Sequence, residues 1–476
     1  METRRALALS RPTSPGVTWR RMVLAGVLLL ALFVRMREPF VSPVIGAEDP
    51  YTHMGHAWDL LHGRGLPADY PPGFAVLLAP FALLGPTLFY AAARFLPPFL
   101  GVVEVLGVYL LAKENLRTPA AFVAAIAVTL MPENVLRTNL LFPTALDLAL
   151  LPFYLMLLLR GAQRDRRSLL WAALLAVGLA LAHPWVLVYM LPPTIVVALR
   201  AFDGPNARRD RLLTLGIIGA LAVAGAVFAF LPGTWNPTPS FLKHAGPRAL
   251  ELLRDPRSLF PLPLYVDTFP GMVTWSVLAF AAIGAVTALV RRTTLGLAVL
   301  VYSLAIVPFV FVDWFDVWFI PHRSVAYLSL GLALLAALPI ELMGAIPEWN
   351  LGDVAAAAVV GIYMVAVLTP GALAVTPWYR LYGEDDYDAW HAVAARDPSL
   401  VVTGSWEEAT GYRAITGKDA IFNPEFLKDP GARAFDLKAH PDSIVLLDWR
   451  AREAGFKAPS GWHSVGQWGN LTAYAP

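Results

Sequence analysis

The sequence predicts a polytopic α-helical membrane protein with about eleven spans, followed by a small C-terminal extracytoplasmic α/β domain. Three observations support this fold class. Of the 476 residues, 57% are hydrophobic and 15% are charged, whereas an average soluble domain carries roughly 25% charged residues. Apolar segments of membrane-spanning type recur up to Val375, and beyond Val375 the composition becomes polar.

The composition also argues against several classes of protein. The chain contains no cysteine, so neither a disulfide framework nor thiol chemistry is expected. It has no phosphate-binding loop, no glycine-rich dinucleotide fingerprint and no Cys/His zinc spacing, which argues against ATP-driven pumps and zinc enzymes. We expect the lipid bilayer as the surroundings of this chain and no nucleic-acid partner.

The first apolar run covers residues 22–34 and follows a segment rich in arginine. A cleaved signal peptide would end in small residues, but this run ends in Arg35, Met36 and Arg37. We therefore expect an uncleaved signal anchor in a multi-pass protein of the cell membrane, with the N-terminus in the cytoplasm.

The later spans are expected wherever an apolar stretch approaches the roughly 20 residues that cross a bilayer. These stretches are 95–112, 120–131, 145–159, 169–181, 185–199, 212–231, 272–290, 295–312, 325–343 and 354–375. Lys and Arg favour cytoplasmic loops, and here they gather in alternate loops, on the side of the basic N-terminus. The apolar segment 74–84 is short, and counting it as a span would break this alternation. We expect it to be a re-entrant or interfacial helix within a long first outer loop of about residues 38–94.

The polar composition after Val375 divides the chain into a transmembrane domain of residues 1–375 and an extracytoplasmic domain of residues 376–476. Within the second, segments 400–402 and 443–447 predict short buried strands. Segment 406–415 predicts a helix, and Gly469 with its neighbours predicts a hairpin turn. About a hundred residues is a normal size for such a domain.

The first outer loop contains an unusual polar group, formed by Glu48, Asp49, Tyr51 and His53 just after the first span. Acids beside a bilayer are costly unless they meet a cation, a metal or water, so they are functional candidates. The alternative is a helix cap, in which Glu48 or Asp49 accepts hydrogen bonds from the backbone of a following helix.

Further charged candidates lie in the other predicted outer loops or, for Asp147, just inside the span that follows one of them. They are Glu133, Arg137, Asp147, Lys243, His244, His322 and Arg323. Clustered carboxylates without thiols favour hard cations such as Mg²⁺ or Mn²⁺, and arginines among carboxylates suit phosphate. The pattern predicts an anionic lipid phosphate bound at the outer membrane face. Asp147 has the alternative of complementing a helix dipole, and the two arginines that of reaching lipid headgroups.

The order of these motifs resembles the GT-C superfamily of membrane glycosyltransferases, in particular the single-subunit archaeal or bacterial type of oligosaccharyltransferase catalytic subunit. The resemblance is carried by Glu48-Asp49-Pro50-Tyr51-Thr52-His53, by Tyr70-Pro71-Pro72-Gly73, by Pro132, Arg137 and Asp147 in that order, and by Arg323. It covers most of the chain. The acceptor motifs depart from the family: Trp406 and Glu407 stand in place of a Trp-Trp-Asp-Tyr-Gly motif, and Lys243, beside His244, in place of an acceptor-binding glutamate.

The resemblance implies transfer of a sugar or oligosaccharide from a polyprenyl-(pyro)phosphate donor to a protein or glycan acceptor on the extracytoplasmic face. Asp49 and Asp147 would hold the divalent cation, and Asp49 or Glu48 would accept the proton of the acceptor. The remaining site residues would be Tyr51, His53, Glu133, Arg137, His322 and Arg323 for the donor, with Trp406, Glu407, Lys243 and His244 for the acceptor.

Two alternatives stay open. One is a monosaccharide transferase that uses a polyprenyl-monophosphate sugar to modify protein, lipid or cell-envelope glycan. The other is a transporter or flippase of lipid-linked glycans, which is less favoured because the polar residues crowd one face and the sequence shows no internal repeat.

Overall fold

The structure is a computed structural model. It describes residues 15–42, 44–46, 48–65, 70–163, 165, 167–200, 272–310, 321–343, 352–374, 382–428 and 440–476, with isolated positions between 212 and 254.

Up to residue 374 the described chain is built from helices. In order they are α1 (Pro15–Val41), α2 (Glu48–Leu61), α3 (Pro72–Ala82), α4 (Pro86–Asn115), α5 (Thr118–Leu130), α6 (Pro132–Thr138), α7 (Pro143–Gln163), α8 (Arg167–Ala182), α9 (Val186–Arg200), α10 (Trp275–Arg291), α11 (Thr294–Val310), α12 (Pro321–Met343) and α13 (Gly352–Ala374).

Proline sets the start of several of these helices. Pro72, Pro86 and Pro132 each lie within the first two positions of a helix, where the missing N–H would have no intrahelical acceptor anyway. Gly85 precedes Pro86 with a φ of 88°, a backbone conformation that side chains rarely tolerate. Sequence reasoning expected an outer loop from residue 132, but Pro132 instead begins α6, which lies at 67° to α5.

By length and composition, three described helices can cross a membrane: Pro86–Asn115, Pro143–Gln163 and Arg323–Leu342. The bent pair of α5 and α6 would make a fourth. Several shorter apolar helices accompany them, including α3, α8, α9, α10 and α11. The total of about eleven spans stays a prediction, as do the orientation of the termini and the domain boundary at residue 375.

The chain from residue 382 onward mixes helices with one sheet. The elements are α14 (Glu384–Ala394), β1 (Val401–Thr403), α15 (Trp406–Thr416), β2 (Ala420–Phe422), α16 (Pro424–Lys428), β3 (Ile444–Leu447), α17 (Trp449–Glu453), β4 (His463–Trp468) and β5 (Leu471–Ala475). These bounds lie within a few residues of the strands and the helix expected from the sequence.

The sheet has five strands in the order β2-β1-β3-β5-β4. β1 pairs in parallel with β2 and β3, with Val402 opposite both Ile421 and Val445. β5 pairs antiparallel with β3 and with β4. β4 and β5 are joined across Gly469, whose φ of 48° suits a tight hairpin turn.

One apolar core joins this C-terminal part to the outer end of the helices. It contains Tyr51 of α2, Phe89 of α4, Trp390 of α14 and Tyr412 of α15, all of them completely buried. At its edge, Asp59 of α2 forms an ion pair with Arg413 of α15. Helix α2 is therefore held between the bundle and the C-terminal part, which fixes the position of the acidic motif at its start.

Candidate active site

The acidic and basic candidates come from the starts of three helices that are far apart in sequence. Asp49 lies in the first turn of α2, Asp147 near the start of α7, and Arg323 near the start of α12. Tyr70 lies just before α3. Negative charge at a helix N-terminus is favourable because the backbone N–H groups there carry partial positive charge.

The hydroxyl of Tyr70 is subject to the charges of these groups. Burial raises the pKa of the Tyr70 hydroxyl, the carboxylates of Asp49 and Asp147 raise it further, and the positive charge of Arg323 opposes them. The charges of Asp49, Asp147 and Arg323 therefore all act on this one hydroxyl.

Asp147 is completely buried and is held through one of its two oxygens. Its Oδ2 lies 2.5 Å from Nδ1 of His183 and also accepts a hydrogen bond from the hydroxyl of Tyr327. Its Oδ1 has no hydrogen-bond partner among the described atoms. A buried carboxylate oxygen without a partner costs on the order of 1–3 kcal/mol, which a hydrogen-bond donor or a cation of a ligand would recover.

Tyr327 is itself fixed by aromatic and polar contacts. Its ring lies against that of Tyr189, with centroids 4.1 Å apart, and Tyr302 donates a hydrogen bond of 2.8 Å to its backbone carbonyl. The hydroxyls of Tyr189 and Ser324 are 3.2 Å apart. Since Ser324 follows Arg323 directly, the same contacts that orient Asp147 also position the start of α12.

His53 packs beside the Tyr-Pro-Pro-Gly segment. Its ring meets the rings of Tyr70 and Phe74 edge-on, with centroids 4.7 Å and 4.9 Å apart. Behind this segment, a Cβ on Gly73 would lie 2.4 Å from the carbonyl oxygen of Leu181. A glycine at that position lets α3 approach α8 closely enough to bring Tyr70 toward Asp147.

Three of the residues predicted to bind the sugar donor make contacts away from Asp147 and Tyr70. Glu133 and Arg137 are buried and paired with each other on α6 at 3.1 Å, and Arg137 lies 5.4 Å from the ring of Phe142. Tyr51 was expected to bind the donor, but it is completely buried. Its hydroxyl donates to the carbonyl of Ile45 at 2.8 Å, because its ring fills the core beneath the C-terminal part; it is a packing residue.

The other predicted site residues fall outside what the structure describes. For Lys243 and His244 this applies to the whole residue, and for Glu48, His322, Trp406 and Glu407 to the side chain.

The described side chains can be compared with the ligand set that the expected divalent cation would need. Among the described residues, no three His, Asp or Glu side chains gather closely enough to bind a metal ion. Mg²⁺ commonly takes only one or two carboxylates together with substrate phosphates. Asp147 Oδ1, which lacks a partner, is compatible with that mode of binding.

Sequence reasoning missed His183, Tyr189 and Tyr327. His183 lies between the expected spans 169–181 and 185–199, a junction that the arginine pattern places on the same side as Asp147. A histidine at an outer junction was therefore a usable signal. The two tyrosines lie within apolar helices, where the sequence does not distinguish them from packing residues.

Comparison with known proteins confirms the resemblance to GT-C membrane glycosyltransferases that was expected from the sequence. Residues 69–230 match the family described as dolichyl-phosphate-mannose-protein mannosyltransferase. No curated protein matches the whole sequence significantly.

Solved structures share the fold along nearly the entire chain. ArnT from Cupriavidus metallidurans is 12% identical in its undecaprenyl phosphate complex, with a TM-score of 0.61, 97% of this chain covered and 98% of that chain. The Archaeoglobus fulgidus oligosaccharyltransferase, in complex with Zn and sulfate, is 15% identical with a TM-score of 0.55, covering 95% of this chain and 73% of that chain. At sequence identities this low, the structural similarity shows a common fold and nothing more specific.

Proposed function

We propose that this protein is a membrane glycosyltransferase that moves a sugar or oligosaccharide from a polyprenyl-phosphate-linked donor to an acceptor at the extracytoplasmic face. The observation that carries the proposal is the buried Asp147, whose Oδ2 is fixed by His183 and Tyr327 while its Oδ1 has no partner among the described atoms; its charge acts on Tyr70 together with those of Asp49 and Arg323. Carboxylates can take a proton from an acceptor, and a guanidinium can bind a phosphate leaving group. The site therefore combines the two functions that this transfer requires.

In the proposed reaction the acceptor oxygen or nitrogen attacks the anomeric carbon of the donor sugar. The bond between that carbon and the phosphate oxygen breaks, and both bonding electrons leave with the polyprenyl phosphate. The acceptor proton passes to Asp49, or to Glu48 if its side chain is the closer one. Proton removal by a carboxylate within hydrogen-bond reach typically accelerates such a step by 10²–10⁴-fold.

Arg323 stabilises the negative charge that develops on the departing phosphate. A hydrogen-bond donor of the protein that is already in position lowers the barrier more than water does, because it does not have to reorient during the reaction. The contact between Ser324 and Tyr189 limits the movement of the helix start that carries Arg323. His53 supports the same region by packing on Tyr70.

Asp147 contributes an oriented oxygen. His183 and Tyr327 occupy Oδ2, so Oδ1 is the oxygen left to bind a ligand. A divalent cation, Mg²⁺ or Mn²⁺, bound by Asp49, Asp147 and the donor phosphate is part of the proposal, and it would supply Lewis-acid stabilisation of the phosphate.

Two donor types remain in the proposal, and the comparisons favour one. The sequence motifs suggest an oligosaccharyltransferase-like enzyme with a pyrophosphate-linked glycan. The match of residues 69–230 to the mannosyltransferase family and the fold shared with ArnT bound to undecaprenyl phosphate favour a monophosphate-linked monosaccharide. We propose the monosaccharide transferase as the leading function. Its acceptor is a protein, a lipid or a glycan.

The lipid product distinguishes the two donor types. We would incubate the purified protein in lipid vesicles with lipid-linked sugars extracted from the host membranes, and then identify the released lipid by mass spectrometry. Polyprenyl monophosphate is the expected product. Polyprenyl pyrophosphate would instead support the oligosaccharyltransferase-like function, and release of neither lipid would contradict the proposed activity.

A further inference from the structure

A second charged cluster lies apart from the candidate active site, at the bend between α5 and α6. Arg35 of α1, Glu104 of α4, and Asn134 and Thr138 of α6 are all completely buried. The proposed reaction uses none of them. Charged side chains buried among membrane helices are costly, and they are usually retained for a purpose.

At the bend, one backbone carbonyl lacks its usual hydrogen-bond donor. Pro132 has no N–H, so the carbonyl of Val128 loses the partner that a continuous helix would give it. Arg35 Nη2 lies 3.4 Å from that carbonyl oxygen, and Nη1 donates to the carbonyl of Thr129 at 3.0 Å. The guanidinium thus supplies donors where the proline removed one.

The same guanidinium also binds the far side of the bend. Its Nε donates to Thr138 Oγ1 at 2.8 Å, and its Nη2 donates to Asn134 Oδ1 at 2.7 Å. A fifth contact joins Nη1 to the carbonyl of Ala31 at 3.5 Å. A guanidinium carries five N–H groups in a fixed plane, so each one has an acceptor here.

Glu104 and Gly101 complete the cluster. Asn134 Nδ2 donates to Glu104 Oε1 at 2.7 Å, so the amide links the guanidinium to the buried carboxyl group of Glu104. A Cβ on Gly101 would lie 2.2 Å from Arg35 Nε, and the glycine is what leaves room for the arginine. The surroundings of Arg35 thus provide both the hydrogen-bond acceptors and the space that its side chain needs.

We propose that Arg35 is a positioning residue, which fixes the bend between α5 and α6 and thereby the position of the buried Glu133–Arg137 pair. Helix α6 packs against α7, which carries Asp147, and against α12, which carries Arg323. A change in the bend would therefore displace both neighbours. The effect on turnover rests on the proposed function; the effect on the bend does not.

The test separates the contacts of Arg35 with the backbone of the bend from its link to Glu104. Arg35→Met leaves Asn134 and Glu104 buried without the guanidinium, which lowers the midpoint temperature of unfolding. The double variant Arg35→Met/Glu104→Met also removes the buried carboxyl group and should recover part of that loss, but it still lacks donors for the Val128 and Thr129 carbonyls. Arg37→Met, at an exposed arginine two residues along the same helix, is the matched control.

Hydrogen exchange is measured on peptides covering residues 128–139, below the unfolding temperature of every variant, together with kcat and KM. In the double variant we expect exchange at least tenfold faster and kcat at least tenfold lower, with both unchanged in Arg37→Met. Unchanged exchange in the double variant overturns the proposal, and faster exchange with unchanged kcat overturns the positioning role. If the wild-type protein transfers no sugar, the proposed function fails, and the exchange data alone then decide whether Arg35 fixes the bend.

Discussion

The two oxygens of Asp147 have different surroundings, and this difference defines the candidate site at the scale of single residues. Oδ2 is bound by His183 and Tyr327, whereas Oδ1 has no hydrogen-bond partner in the described part of the protein. A carboxylate held in this way has a fixed orientation before any ligand binds. Orientation set in advance is what makes charged groups effective in catalysis.

Tyr327→Phe tests whether that orientation matters. The variant removes one hydrogen bond to Asp147 Oδ2 and leaves the His183 contact in place. We expect kcat to fall about tenfold, which corresponds to about 1.4 kcal/mol, with little change in the unfolding temperature. Tyr154→Phe is the control, because it deletes a buried hydroxyl that is bonded to Thr194 Oγ1 at 2.6 Å elsewhere in the bundle. Equal losses in both variants would contradict a specific role for Tyr327.

The sequence identified the charged residues of the candidate site more readily than the aromatic ones. Asp49, Asp147 and Arg323 were identifiable because charge beside a bilayer is costly and therefore informative. Tyr51 was predicted to bind the donor, but its position in the motif says nothing about which direction its ring takes. The ring turns into the core beneath Trp390, with centroids 5.6 Å apart. Only the fold of residues more than three hundred positions later determines that contact.

At the scale of elements, the site depends on how closely α3 and α8 approach each other. Gly73 is the point of contact, because its Cα faces the backbone of Leu181. The first turn of α3 follows Tyr70 directly, so a change in this contact moves the tyrosine that lies near Asp49 and Asp147.

Gly73→Ala tests this contact. A Cβ would lie 2.4 Å from a backbone oxygen, so α3 must shift, and overpacking of this kind costs typically 1–3 kcal/mol. We expect a lower unfolding temperature and reduced transfer activity. Gly178→Ala on α8 is the control, because nothing lies within 4 Å of its Cβ position. There we expect no loss, and up to about 1 kcal/mol of gain from helix propensity. A Gly73→Ala variant as stable and active as this control would show that the approach of the two helices is not needed.

The helices and strands themselves were more predictable than the connections between them. Apolar length predicted several helices, and short β-branched runs predicted β1 and β3 within a residue or two. The bend at Pro132 was expected to be a loop, because a proline after an apolar run also ends a helix. The sequence could not show that Arg35, almost a hundred residues earlier, supplies the donors that allow a second helix to begin there.

At the scale of the whole molecule, the C-terminal part is packed onto the helix that carries the acidic motif. Tyr51 of α2 meets Tyr382 and Trp390 edge-on, with centroids 5.3 Å and 5.6 Å apart. Apolar packing contributes most of this attachment. The Asp59–Arg413 ion pair is partly exposed, and such pairs contribute only about 0–1 kcal/mol.

Trp390→Ala tests the attachment. Trp390 is completely buried, and removing a buried aromatic side chain costs about 3–5 kcal/mol. We expect the C-terminal part to become sensitive to limited proteolysis and the transfer activity to fall, since α2 loses its support. Trp449→Ala changes a tryptophan that is 48% exposed, so its effect should stay within about 0.5 kcal/mol. Equal protease resistance of the two variants would argue against this interface.

The central claim is that Asp49, acting together with Asp147 and Arg323, takes the proton in sugar transfer from a polyprenyl phosphate. The most direct measurement compares the wild-type protein with Asp49→Ala in lipid vesicles supplied with radiolabelled host lipid-linked sugars. Asp388→Ala, at an exposed aspartate of α14, is the control. We predict that label leaves the polyprenyl-phosphate-linked donor, as separated by chromatography, with the wild-type protein and the control but not with Asp49→Ala, while all three are equally folded. Undiminished transfer by Asp49→Ala would contradict the account.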